Sequence, residues 1–168
     1  MMNSDEDCPI YIINLKNKET ELVRTLKEIR KLHFFKNIII HEATGVEESK
    51  IEHQRYITKE AYENINNIKS ENIIPTWGAV GCALSHRDCW KDISKRQYEY
   101  AIICEDDIKI NDPELFKFNY YESKKLYELN KYRLNGLLIT MNSKYINYHM
   151  NDDINICGPF TGLSFYII

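Results

Sequence analysis

The sequence predicts an α/β sandwich with a mainly parallel sheet, and three observations carry that prediction. Short apolar runs alternate with amphipathic stretches in the order strand–helix–strand–helix–helix–strand–helix–strand–strand. The run Tyr100-Ala101-Ile102-Ile103-Cys104 is apolar without a break, as in a strand buried on both faces. It ends in three carboxylates, Glu105-Asp106-Asp107. In open α/β sheets, ligands bind outside the carboxyl ends of the strands.

The elements follow in order. Pro9 to Leu15 is a first strand. From Glu19 to Leu32, Leu22, Leu26, Ile29 and His33 recur at helical spacing, so an amphipathic helix covers one sheet face. Ile38 to His41 is a second strand, followed by the turn Ala43-Thr44-Gly45. Ser49 to Asn67 reads as one polar, mostly helical stretch with a thin apolar face: Ile51, Tyr56, Ile57, Ala61 and Ile65. Ile68 to Pro75 is a connector. Thr76 caps the next helix, Trp77 to Lys95. Gly78 and Gly81 lie in its first turns, where each costs roughly 1 kcal/mol against alanine. That cost points to close approach of a backbone or a ligand. After the acidic strand, Asp112 and Pro113 start a helix that runs to about Asn130. Gly136 to Met141 is a strand, Asn142 to Ile156 a polar irregular loop, and Thr161 to Ile168 a last strand.

The 168 residues fit one domain, residues 1–168. Lys and Arg total 22 against 25 Asp and Glu, a formal net charge of −3. No basic run appears, which argues against nucleic acid as a partner. The odd cysteine count (Cys8, Cys82, Cys89, Cys104, Cys157) makes no disulfide framework. Together with the lack of a signal peptide or membrane segment, it places the chain in the cytoplasm or another reducing compartment. The chain stops within an apolar run. That end reads as a C-terminal truncation or an unusually short product, and its open apolar edge favours self-association into a homo-oligomer.

Three neighbouring carboxylates repel one another, and a hard divalent cation relieves this. Mg²⁺ and Mn²⁺ take oxygen ligands, commonly one or two carboxylates plus substrate phosphates. The rival reading is a solvated acidic loop. No Gly-rich dinucleotide loop and no Walker lysine loop is present. The helix run Trp77 to Trp90 is the second chemical stretch. Cys82, His86, Cys89, Trp90 and Ile93 share one helical face there. Cys82, His86 and Cys89 offer three of the four ligands a structural zinc site wants. The plainer alternative is a buried histidine bonded to a backbone carbonyl. Arg87 is either a surface residue or a phosphate ligand.

Two motifs carry a resemblance: Gly78-Ala79-Val80-Gly81-Cys82-Ala83-Leu84-Ser85-His86 with Trp90, and Tyr100 to Asp107 about twenty residues on. In that order and spacing the chain resembles glycosyltransferase family 25, which includes lipooligosaccharide and procollagen galactosyltransferases. Ile12-Ile13-Asn14-Leu15, Ala43-Thr44-Gly45 and Leu163 to Ile168 are similar to further family segments. Ala79 stands where the family has Glu, and Lys16-Asn17-Lys18 replaces most of its basic cluster.

The resemblance implies a GT-A type, Rossmann-like fold, a UDP-sugar donor such as UDP-galactose, and Mn²⁺ or Mg²⁺. It implies transfer of galactose or glucose to a glycan, as in lipopolysaccharide biosynthesis, or to a hydroxylated protein. Asp107 is then the first metal ligand and Glu105 the second, since alternate residues at a strand end face one side. Asp106 faces the sheet or binds donor hydroxyls. Asn14 and Thr44, at the ends of the first two strands, are contacts for the nucleotide. Ser85 and His86 have a structural or donor-pocket role. No general base stands out, and Asp152 and Asp153 are the nearest offers. A non-catalytic truncated domain that binds a nucleotide sugar or a partner is the alternative reading.

Overall fold

The computed structural model describes residues 8–66, 76–130, 139–140, 148–151, 154–156 and 165–167. Strand β1 (Ile10–Asn14) leads through helix α1 (Glu19–Arg30) to β2 (Ile38–Glu42). Helices α2 (Val46–Tyr56), α3 (Lys59–Asn66) and α4 (Trp77–Arg96) precede β3 (Ile102–Glu105). Helix α5 (Pro113–Asn130) follows, then the short strands β4 (Ile139–Thr140), β5 (Tyr148–Asn151), β6 (Ile154–Ile156) and β7 (Phe165–Ile167).

The main sheet has the order β2-β1-β3-β7-β4. Strands β2, β1 and β3 are mutually parallel, with Ile10 opposite both Ile38 and Ile102. Strand β7 runs antiparallel to β3 and to β4. Strand β1 is therefore central, and its five residues are all buried. Its alternate side chains feed two cores. Ile10 and Ile12, with Ile102 and Cys104, meet Leu22, Leu26 and Ile29 of α1 and Phe116 and Tyr120 of α5. Tyr11 and Ile13, with Ala101 and Ile103, meet Cys89 and Ile93 of α4. Helices thus cover both faces, which is the three-layer α/β/α sandwich. Each fully buried aliphatic side chain here contributes about 1.5–3 kcal/mol.

Local chemistry sets the boundaries. The Thr76 hydroxyl accepts from Ala79 N at 3.1 Å and caps α4; Asp112 Oδ1 accepts from Leu115 N at 2.9 Å and caps α5. The stretch expected as one polar helix is two, because Thr58 starts a second one by accepting from Ala61 N at 3.1 Å. Of its expected apolar face, Ile65 is buried against Val80 and Leu84 of α4, while Ile51 is 79% exposed. Helix α1 ends at Arg30, short of His33, which adopts a left-handed φ of 59°.

One expectation changes on the C-terminal side. Part of the stretch expected to be irregular is a hairpin, β5 paired antiparallel with β6. The last strand joins the sheet antiparallel. The expected connector 68–75, Asp152, Asp153 and Cys157 lie outside the described residues. Among the described residues, Cys8, Cys82, Cys89 and Cys104 are free thiols, and no helix is long and apolar enough to cross a membrane.

Candidate active site

Strands β1, β2 and β3 are parallel, so their carboxyl ends share one edge of the sheet. The chain leaves β1 for β2 on one side and later enters β3 on the other. That reversal of strand order is a topological switch point, where open α/β sheets bind ligands. A cleft of about 170 Å³ lies there. Ile13 and Leu15 of the β1 end, Ala43 to Val46 after β2, and Glu105 and Asp106 at the β3 end line it. The first half of α4 closes it through Gly78, Cys82 and Ser85.

Helix α4 reaches the loop after β2 only because two positions are small or polar. A Cβ on Gly81 would lie 2.5 Å from the Thr44 carbonyl oxygen and 2.7 Å from Ser49 Oγ. The close approach read from the sequence is therefore to backbone. Gly78 differs: among the described residues a Cβ there would meet Thr76 Oγ1 alone, at an ordinary 3.6 Å, and Gly78 borders the cleft. Ser85 is fully buried. Its hydroxyl accepts from Thr44 N at 2.8 Å and donates to Gly81 O at 2.7 Å. Both hydrogen bonds go to the protein, so Ser85 ties the cleft wall to the helix.

At the end of β3, Glu105 Oε1 sits 3.2 Å from His86 Nε2 and 3.4 Å from Cys82 Sγ. The hydrogen bond from His86, above all, holds the Glu105 carboxyl below the usual carboxylate range, against the opposing effect of burial. An ionised carboxylate only accepts, so Nε2 carries the shared proton. Cys82 is exposed as a residue because it opens on the cleft, yet its sulfur is crowded by protein. That crowding first, and the Glu105 carboxylate second, push its thiol up to about 12. Asp106 behaves oppositely to Glu105. Burial and the neighbouring Asp107 carboxylate raise its pKa. The turn that carries Asp106 is held by Thr25 of α1, whose hydroxyl donates to Asp106 O at 2.7 Å.

The sequence-derived residues fall into two groups. Thr44, Ser85, Glu105 and Asp106 line the cleft. His86 is buried behind it, with its Nε2 on the Glu105 carboxylate. Asn14 is buried at the β1 end. Its Nδ2 donates to Leu15 O at 2.8 Å, and its Oδ1 accepts from no described residue. Asp107 is exposed in the turn after β3. Cys89 does not join Cys82 and His86; it is fully buried against the sheet with Tyr11 and Ile103. Trp90, expected on the inner face, is 39% exposed. Arg87 pairs with the adjacent Asp88, Nε to Oδ1 at 2.9 Å. Sequence reasoning missed Thr25 and the meeting of Cys82 with Glu105. The i, i+4 pair Cys82/His86 was a visible signal, but its third partner came from another element.

A three-layer α/β sandwich with a carboxylate-ended strand at its switch point defines a Rossmann-like domain. The model of Glycosyltransferase family 25 (LPS biosynthesis protein) matches residues 7–157. The chain belongs to glycosyltransferase family 25. Procollagen galactosyltransferase 1-B of Xenopus laevis is 29% identical over 111 residues, which covers 64% of this chain and 17% of that relative. The chain thus spans a small part of the relative's length.

Proposed function

We propose that this chain is the donor-binding domain of a metal-dependent glycosyltransferase that moves galactose or glucose from a UDP-sugar to a glycan or hydroxylated protein acceptor. The observation that carries this is the acidic turn at the switch-point cleft, in a chain of this family. The name of the relative, a galactosyltransferase, supports galactose as the sugar.

The residues fit a hard divalent cation. Asp106 is disfavoured as an anion by burial and by Asp107, and a cation beside them relieves that cost. Their donor atoms are carboxylate oxygens, as Mn²⁺ and Mg²⁺ require. Asp107 and Glu105 would hold the ion, which when bound supplies Lewis-acid stabilisation of the departing diphosphate. The remaining work belongs to the chain's own groups. Asp106, on the cleft wall, binds donor hydroxyls. Asn14 Oδ1, buried and without a described donor, offers an acceptor at the end of β1. Thr44 presents its side of the loop to the nucleotide, while its N–H stays with Ser85. Ser85 and His86 act by position: one fixes the loop, the other fixes the Glu105 carboxylate.

Calorimetric titration of UDP-hexoses, with and without Mn²⁺, tests this on the native chain and on Asp107→Ala. Metal-dependent binding that is lost in Asp107→Ala is the expected result. Failure of the native chain to bind any common UDP-hexose in Mn²⁺ would overturn the reading.

A further inference from the structure

We propose that Cys82 Sγ, His86 Nε2 and Glu105 Oε1 form an open three-ligand site for a thiophilic divalent cation of the zinc class, on the cleft side of α4. The inference goes beyond the donor reading, because a thiolate selects a different group of metals from the hard ions that serve a diphosphate.

The geometry carries it. The three ligand atoms lie within 4.8 Å of one another. Two of the separations, 3.2 and 3.4 Å, lie close to the short end of the edge of a tetrahedron around an ion with bonds of about 2.0–2.3 Å, roughly 3.3–3.8 Å. Cys82 and His86 are one helical turn apart, so both side chains stand on the same side of α4. Glu105 comes from the end of β3. Rigid elements therefore supply all three ligands, as a precise site needs. The donor set also fits: thiol, imidazole and carboxylate are all ligands that zinc takes. Three protein ligands leave a fourth position for water or a ligand oxygen, and Cys82 and Glu105 both border the cleft.

The protons balance simply. Ion binding displaces the Cys82 thiol proton to solvent, and His86 meets the ion with Nε2 deprotonated. Metal occupancy accordingly releases protons and depends on pH. Glu105, already ionised, loses only its two hydrogen bonds.

Cobalt(II) is the probe, added to the reduced full chain. Binding at this site gives a thiolate-to-cobalt charge-transfer band and intense visible bands of a tetrahedral ion, both erased by added Zn²⁺. Cys82→Ser should lose the charge-transfer band, and its exposed position lets the variant fold, as circular dichroism would verify. His86→Gln should weaken Zn²⁺ binding by more than the roughly 10–100-fold that loss of an outer-shell partner costs. A charge-transfer band that survives in Cys82→Ser, or its absence from the native chain at saturating Co²⁺, overturns the proposal. Mn²⁺-dependent UDP-sugar binding by the native chain is a separate readout. Its failure strikes the donor reading, while loss of the cobalt band strikes only this one.

Discussion

From Trp77 to His86, helix α4 packs Val80 and Leu84 against Ile65 and turns small and polar groups to the cleft wall; from Arg87 to Arg96 it meets the sheet through Cys89 and Ile93. In the first half, Gly81 lets backbone touch backbone, Ser85 bridges to Thr44, and His86 reaches a carboxylate. In the second half, apolar burial anchors the helix, and Asp92 binds the Tyr11 hydroxyl at 2.7 Å and Arg96 at 2.7 Å. The difference shows that one helix serves two purposes. Its distal half is held as any core helix is held. Its proximal half keeps an apolar contact with α3 and gives up helix propensity to build a cleft wall.

Substitutions along α4 sharpen that contrast. The largest effect is expected from Gly81→Ala, which places a methyl group 2.5 Å from a backbone carbonyl. Overpacking of that kind costs typically 1–3 kcal/mol, and about 3 is expected here because backbone yields poorly. Urea unfolding measures it, and a neutral result would mean the helix does not sit so close to the loop.

Ser85→Ala comes next. It leaves the Thr44 N–H without its acceptor in a part-buried place, at a cost of about 1 kcal/mol. Thermal unfolding should show the loss, together with weaker UDP-sugar binding as the cleft wall loosens.

In the distal half, Tyr11→Phe should cost about 1 kcal/mol, a typical net hydrogen bond. Its pH signature is more informative. The Tyr11 hydroxyl first, and Arg96 after it, hold the Asp92 carboxyl below the usual range. A lowered carboxylate pKa gives stability that is complete above the unfolded value and disappears as pH falls through the folded one. The acid-side fall in melting temperature, below about pH 4, should therefore be shallower in Tyr11→Phe. Parallel native and mutant curves would deny Tyr11 that role.

The smallest effect is expected from Gly78→Ala. Among the described residues a Cβ there meets only ordinary contact, so alanine should stabilise the helix by up to about 1 kcal/mol. The added methyl borders the cleft, so UDP-sugar affinity should fall as stability rises. A parallel rise in both would place Gly78 outside the donor's path.

Much of this was legible in the sequence, for local reasons. The apolar run ending in Glu105 identifies a buried strand, and Thr76 and Asp112 cap helices through contacts three residues away. Gly78 and Gly81 were visible as costly residues, but only the structure tells that one meets backbone and the other only ordinary contact among the described residues. What the sequence could not show depends on distant partners. Thr25 and Asp106 are 81 residues apart, and Tyr11 and Asp92 are equally far. Cys82 was grouped with Cys89 because helical spacing sees only its own helix; Glu105, 23 residues on, takes that place. Pairing order was also hidden: period and polarity mark β7 as a strand without giving its antiparallel direction.

The contact between Gly81 and the Thr44 carbonyl has a consequence for how such a domain can diversify. Where helix and loop meet at Gly81 with only the small Ser49 and Ser85 side chains beside them, the gap between them has little adjustable part. Descendants of this chain cannot widen or narrow the cleft by trading one side chain for another at that seam. They can change its contents only from the rim, at Gly78 or across the loop at Val46, while the frame keeps one gauge.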